Sequence, residues 1–218
     1  METKNVPDLG TIRHMLDLAR SAIHDLKPDL AVEYLRTTQD DCEDYYKGSE
    51  AWAEHHLLVA EAYASKGDSA AEIFFAESIK RIRSLPDDHR HLLLRAYRNY
   101  GCYLARHTQF RQRARQHYEA AKQLAVDLGL REDSAEIELK IVKIDVNAEK
   151  SSLANNFATL RSVANHFSYT HQEQLAAWHL HWGKAQQSRR GRRFARDENQ
   201  ASEDYFRRLL ESVRVLSE

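Results

Sequence analysis

Arginine is the most tightly clustered reactive residue type in this chain. Arg189, Arg190, Arg192, Arg193 and Arg196 flank Phe194 within eight positions. Guanidinium groups can take phosphate oxygens and an aromatic ring can stack on a base, so the segment could contact single-stranded RNA or DNA. An acidic protein would suit the same charges. The plainer reading is a solvated connection between helices, with its charge met by Asp197 and Glu198. The chain as a whole carries a formal net charge of −1, so no global field draws nucleic acid or anionic lipid toward it. Nucleic acid is therefore the second choice of partner.

Twelve histidines invite a metal hypothesis. Two ligands on one helical face need a spacing of three or four, and His55/His56, His89/His91 and His179/His181 diverge around a helix instead. Cys42 and Cys102 stand far apart and outside any C-x-x-C spacing, as reduced thiols of a cytosolic protein would. Phosphate-binding glycine loops, a nucleophile elbow and the H-E-x-x-H helix are absent from the sequence. Carboxylate pairs such as Glu50/Glu54 fall on helix faces with nothing to tune them. No catalytic, cofactor or metal site is expected. A helical enzyme built from residues on distant helices ranks third among the functional readings.

The elements that must position these side chains are helical. Glycine and proline number only seven and three, and most stand where a helical period breaks. Helices are expected over residues 8–25, 28–46, 50–66, 69–85, 87–107, 109–128, 132–149, 152–166, 172–188 and 201–216, with Gly67-Asp68 a tight turn. Ser49 is an expected N-cap and Gly129 a helix stop. Residues 132–149 are apolar on more than one face, which predicts a central, buried helix. The ten helices would form five antiparallel pairs in a single domain over residues 1–218, with 189–200 a basic connection. A basic-then-apolar leader and a run of about 20 apolar residues are both missing, so a soluble cytoplasmic protein without membrane contact is expected.

Two of these pairs repeat one pattern, over residues 51–86 and 92–129. Each first helix has a small residue at its middle, Ala60 or Gly101. Each second helix places small, aromatic and small residues in order: Ala71, Phe75 and Ser78, then Ala114, Tyr118 and Ala121. Repetition at a fixed period signals a stacked helical array. Tyr97, Tyr100, Gly101 and Leu104, followed by Ala114, Tyr118 and Ala121, resemble the tetratricopeptide repeat (TPR). Val59, Ala60, Tyr63 and Gly67 match the preceding copy, with His56 where the aromatic would stand. The distance from Ala71 to Ala114 is 43 residues rather than the usual period of about 34, which points to a long-helix variant. The resemblance implies an all-α, right-handed superhelix of the TPR-like solenoid kind and a role in binding peptides or proteins.

In the resembled family the first helices of the pairs line the inner wall. A helical wheel places Leu93, Tyr97, Tyr100 and Leu104 in the core and Arg95, Arg98, Asn99, Cys102 and Arg106 opposite. On the third helix it buries Trp52, His56, Val59 and Tyr63 and turns Glu54, Glu61 and Ser65 outward. On the ninth it exposes His181 and Lys184. The arginines could grip an acidic or C-terminal segment through their planar forks, or pair with Glu54 and Glu61 on the neighbouring helix. The chain therefore reads as a non-enzymatic scaffold or adaptor whose concave face takes a peptide, a protein or a second copy. The alternative is a regulatory module in a nucleic-acid-associated system, with residues 189–196 touching RNA or DNA.

Overall fold

The structure is a computed structural model and describes residues 6–147. Seven α-helices and one 3₁₀ turn, with no strand, make up the described residues. They are α1 (Leu9–His24), α2 (Pro28–Tyr45), α3 (Glu50–Lys66), α4 (Ala71–Arg83), α5 (Arg90–Ala105), α6 (Arg111–Asp127) and α7 (Arg131–Asn147). Packing divides the chain into two units, residues 1–128 and 129–218. The expected helices at 152–166, 172–188 and 201–216 lie outside the described residues.

Local signals fix most of the helix ends. Asp8 accepts the Thr11 N–H at 3.2 Å, and Ser49 Oγ accepts the Trp52 N–H at 3.3 Å, so each satisfies a donor that the first helical turn leaves open. Gly67 closes α3 at φ 72°, a conformation that costs a residue with a Cβ about 1–2 kcal/mol. Three starts differ from the sequence expectation, the first being α4, which begins at Ala71 after a turn in which Asp68 Oδ1 accepts the Ala70 N–H. The α5 helix begins at Arg90, because the Asp88 carboxylate is drawn outward to accept the Arg90 N–H and to clasp its guanidinium. Before α6, the chain makes a 3₁₀ turn over Thr108–Phe110 and becomes α-helical only at Arg111.

In the first unit the helices pack as antiparallel pairs: α1 on α2, α3 on α4, α5 on α6. The first helices also contact each other, α1 with α3 and α3 with α5, and so form a continuous wall. Every small-residue position of the repeat is at an interhelical contact. Ala60, Ala71, Ser78, Ala114 and Ala121 are fully buried, with Phe75 and Tyr118 filling the space between the helices. Phe75 stacks on Tyr100 at 5.1 Å between ring centroids and so ties one pair to the next.

The wheel for α3 requires correction. Leu57 and Leu58 are fully buried, Glu61 is buried as well, and His56, Val59 and Tyr63 are only half-buried. Helix α3 is contacted by α1, α2, α4 and α5, so it has no wide free face. In α5, similarly, Leu93 is half-buried while Leu92 and Leu94 are buried. In the second unit, α7 buries Ala135, Ile137, Ile141 and Ile144, and the Lys140 ammonium meets Glu136 one turn away at 2.6 Å.

Candidate functional site: the wall of α1, α3 and α5

Polar side chains from three helices meet on this wall. Arg95 on α5 holds Glu61 on α3 with two bonds, Nε to Oε1 at 2.9 Å and Nη2 to Oε2 at 2.5 Å. Its Nη1 donates to Glu54 Oε1 at 3.1 Å. The same Glu54 oxygen accepts from Arg20 Nη2 on α1 at 2.6 Å, and Arg20 Nη1 reaches Asp17 at 2.6 Å. Asn99 Nδ2 donates to Glu61 Oε1 at 2.6 Å. Acid and base thus alternate from helix to helix, and the Glu61 carboxylate, 8% exposed, is fully partnered.

Of the two readings open from sequence, the pairing with Glu54 and Glu61 is present in the structure. It does not decide what else the wall binds. Arg95, Arg98, Asn99, Cys102 and Glu54 are half-buried and Arg106 is exposed. Arg106 Nη1 donates to the Ala64 carbonyl at 2.8 Å, which holds the guanidinium at the mouth of a hollow of about 180 Å³. Glu61, Asn99, Cys102 and Arg106 supply its polar lining, while Ile23, Phe75 and Tyr103 supply the apolar part. The Cys102 thiol accepts the Tyr118 hydroxyl at 3.2 Å. His181, Lys184, Arg189, Arg190, Arg192, Arg193, Phe194 and Arg196 lie outside the described residues.

Sequence reasoning missed Arg20, Ile23 and Tyr103. Arg20 flanks the buried Ile12, Leu16 and Ala19 stripe of α1, one turn beyond Leu16, and α1 carries little of the repeat pattern. No partner for it on α3 could be read from local spacing.

A second polar cluster lies between α2, α3 and α4. Glu43 Oε1 accepts from His56 Nε2 at 2.7 Å and from Arg81 Nη1 at 2.6 Å, and the Arg81 guanidinium lies 4.5 Å from the Trp52 ring centroid. Burial works to raise the Glu43 pKa, but the bonds from Arg81 and His56 outweigh it and hold the group down at about 2. Burial, and then the nearby Arg81 charge, lower His56 to about 4. Burial and Arg113 do the same to His117 between α5 and α6.

These two imidazoles are neutral in the fold, whereas in the unfolded chain they protonate near 6.5. Below that pH the unfolded state binds more protons. Stability is therefore full above about pH 6.5 and should decline as pH falls toward 4, by on the order of a few kcal/mol. Glu43 adds to the loss below pH 4.5. Urea midpoints between pH 7 and pH 4.5 should show the slope, and His56→Gln with His117→Gln should reduce it, leaving the share of His55, whose pKa burial also lowers. An unchanged slope in the double variant would place the acid sensitivity elsewhere.

Among the described residues no group of three His, Cys, Asp or Glu is arranged to hold a metal ion. No helix of the described residues is long and apolar enough to cross a membrane. No family model matches the chain, and no curated protein matches it. A solved structure does: a crystal structure from Podosopora anserina, of a protein provisionally described as a kinesin light chain with nearly identical TPR-like repeats. It superposes with a TM-score of 0.68 at 13% sequence identity, covering 95% of this chain and 99% of that one. At this identity the likeness establishes the fold. The chain is an all-α, TPR-like helical solenoid.

Proposed function

We propose that this chain is a non-enzymatic binding module, and that the wall of α1, α3 and α5 receives a peptide or protein segment. Arrays of this kind commonly present an extended concave surface, and the first helices of the pairs form that surface. The observation that supports the reading is the hollow at Asn99, Cys102 and Arg106. It is small and of mixed polar and apolar lining, with a guanidinium fixed at its rim. A partner segment carrying an apolar residue beside a carboxylate would suit both features. The reading takes residues 1–218 as one repeat array and places the protein among scaffolds and adaptors of the cytoplasm.

The test is capture of partners by the intact chain, followed by binding measurements on the isolated pair. Arg106→Glu should weaken the complex by about tenfold or more while leaving the far-ultraviolet circular dichroism unchanged, since Arg106 is exposed. Binding indifferent to Arg106→Glu would move the interface off this wall. Recovery of nucleic acid in place of protein would favour the arginine segment 189–196 as the contact.

A further inference from the structure

We propose that α2, α3 and α4 frame a second binding site for a small neutral ring compound carrying one N–H or O–H donor, of the indole or phenol class. The site does not depend on the wall of α1, α3 and α5. Val32, Leu35 and Val59 give aliphatic surface to a cavity of about 200 Å³. Tyr63 and Phe74, with ring centroids 4.9 Å apart, give it an aromatic side. Pockets that enclose drug-sized ligands run to roughly 300–1,000 Å³, so this one takes a single or fused ring and little more.

Two imidazoles in the lining call for the donor. His56 Nε2–H donates to Glu43 at 2.7 Å, so Nδ1 carries the lone pair. Arg81 Nη1 also lies against Nε2, but its acceptor is the same Glu43 oxygen, at 2.6 Å. No described residue bonds His56 Nδ1, and the half-buried ring leaves that atom accessible at the cavity lining. Burial and the Arg81 charge keep the ring unprotonated at neutral pH, so Nδ1 stays an acceptor. His55 repeats the arrangement beside it. Its Nε2–H donates to the Leu35 carbonyl at 2.8 Å, and its Nδ1 is buried without a partner. A ring compound with one donor satisfies an acceptor and covers the apolar lining at the same time, which water does not. The charge at the rim is balanced. Arg36 shares a face of α2 with Glu33 and Asp40, and Glu43 is matched by Arg81. Neither a carboxylate nor an amine gains from such a rim, so the ligand is neutral.

The probes are indole and 1-methylindole, each titrated into the full chain at pH 7 by calorimetry. They share one fused ring, and only indole has the N–H. Indole should bind and raise the unfolding midpoint, and 1-methylindole should bind at least about tenfold more weakly. His56→Phe keeps a ring of similar size and removes the acceptor, so the two compounds should bind that variant equally. Where His56→Phe does not fold, the nitrogen chemical shift of His56 Nδ1 in the natural chain decides: indole should move it and 1-methylindole should not. Val59→Phe fills the cavity from α3 and should abolish indole binding, and Val32→Phe does the same from α2 if the first variant fails to fold. No binding of indole, equal affinity for the two compounds in the natural chain, or indole binding undiminished in a folded cavity-filled variant would overturn the proposal.

Discussion

Replacing Gly101 with leucine is expected to destabilise the first unit by about 2–3 kcal/mol, with a matching fall in the urea midpoint and no change in its slope. A Cβ built on Gly101 would stand 2.8 Å from Cδ1, 2.9 Å from Cε1 and 3.2 Å from Cγ of Tyr118. Carbon atoms that close cannot coexist, and alanine already supplies the clash. Tyr118 is 3% exposed and its hydroxyl bonds to Cys102, so the ring has no free direction in which to retreat. The backbone of α5 would have to move off α6, and the stacking of Phe75 on Tyr100 one residue away would move with it. The partner in the clash can be identified by a cycle. Tyr118→Leu alone costs buried aromatic area, but combined with Gly101→Ala it should cost less than the sum of the two. Strict additivity would show that the strain falls on some other neighbour. A Gly101→Leu midpoint equal to that of the natural chain would mean that α5 and α6 do not approach as described.

The same residues explain why the fold was legible. Gly101 and Tyr118 are size-matched at a contact, and size is visible in sequence. Ser49 and Gly67 likewise announce helix ends through chemistry that acts within four residues. What failed was the inference of facing. A wheel assumes one buried face, and that assumption holds for α1, whose core residues Ile12, Leu16 and Ala19 keep a regular period. It breaks for α3, which four helices surround, so that Leu57, Leu58 and Glu61 are all enclosed. The sequence allows Glu61 to pair with the arginines of the next helix but turns it outward, because nothing within a helical turn reveals how deeply Arg95, 34 positions later, closes over it.

The wall was legible in its composition, and the pairing of its arginines with Glu54 and Glu61 was one of two readings, but the detailed wiring was not. Arg95, Asn99, Glu54 and Glu61 were identifiable as polar residues turned toward one side. Their pairing depends on the height at which α5 lies against α3, which is set by core contacts such as Phe75 on Tyr100. The register of those contacts brings Asn99 to Glu61 and Arg106 to the Ala64 carbonyl, and it places Arg20 opposite Glu54. A strip of like charge in sequence thereby becomes an alternating ladder in space. The free energy of such a ladder is small where water reaches it and large where water does not, so its rungs should respond unequally to mutation.

That inequality gives the second large effect. Arg95→Met should destabilise the fold by about 3 kcal/mol, because it leaves the Glu61 carboxylate 8% exposed with Asn99 as its remaining side-chain donor. Methionine fills most of the space that the arginine stem occupied, so lost packing explains only a minor part. Glu54→Gln, which breaks the more exposed rung, should cost less than about 1 kcal/mol. The decisive variant is Arg95→Met with Glu61→Leu. It removes both charges together and replaces them with apolar volume against Phe75 and Tyr103, which already line that side of the hollow. Most of the loss should then be recovered, since the penalty of the single variant lies in the stranded charge and not in the absent bond. Equilibrium urea unfolding of the three proteins at pH 7 separates the cases. A double variant as unstable as Arg95→Met alone would show that the arginine acts through packing. A single variant that unfolds no more easily than Glu54→Gln would show that water reaches Glu61 far more readily than its burial implies.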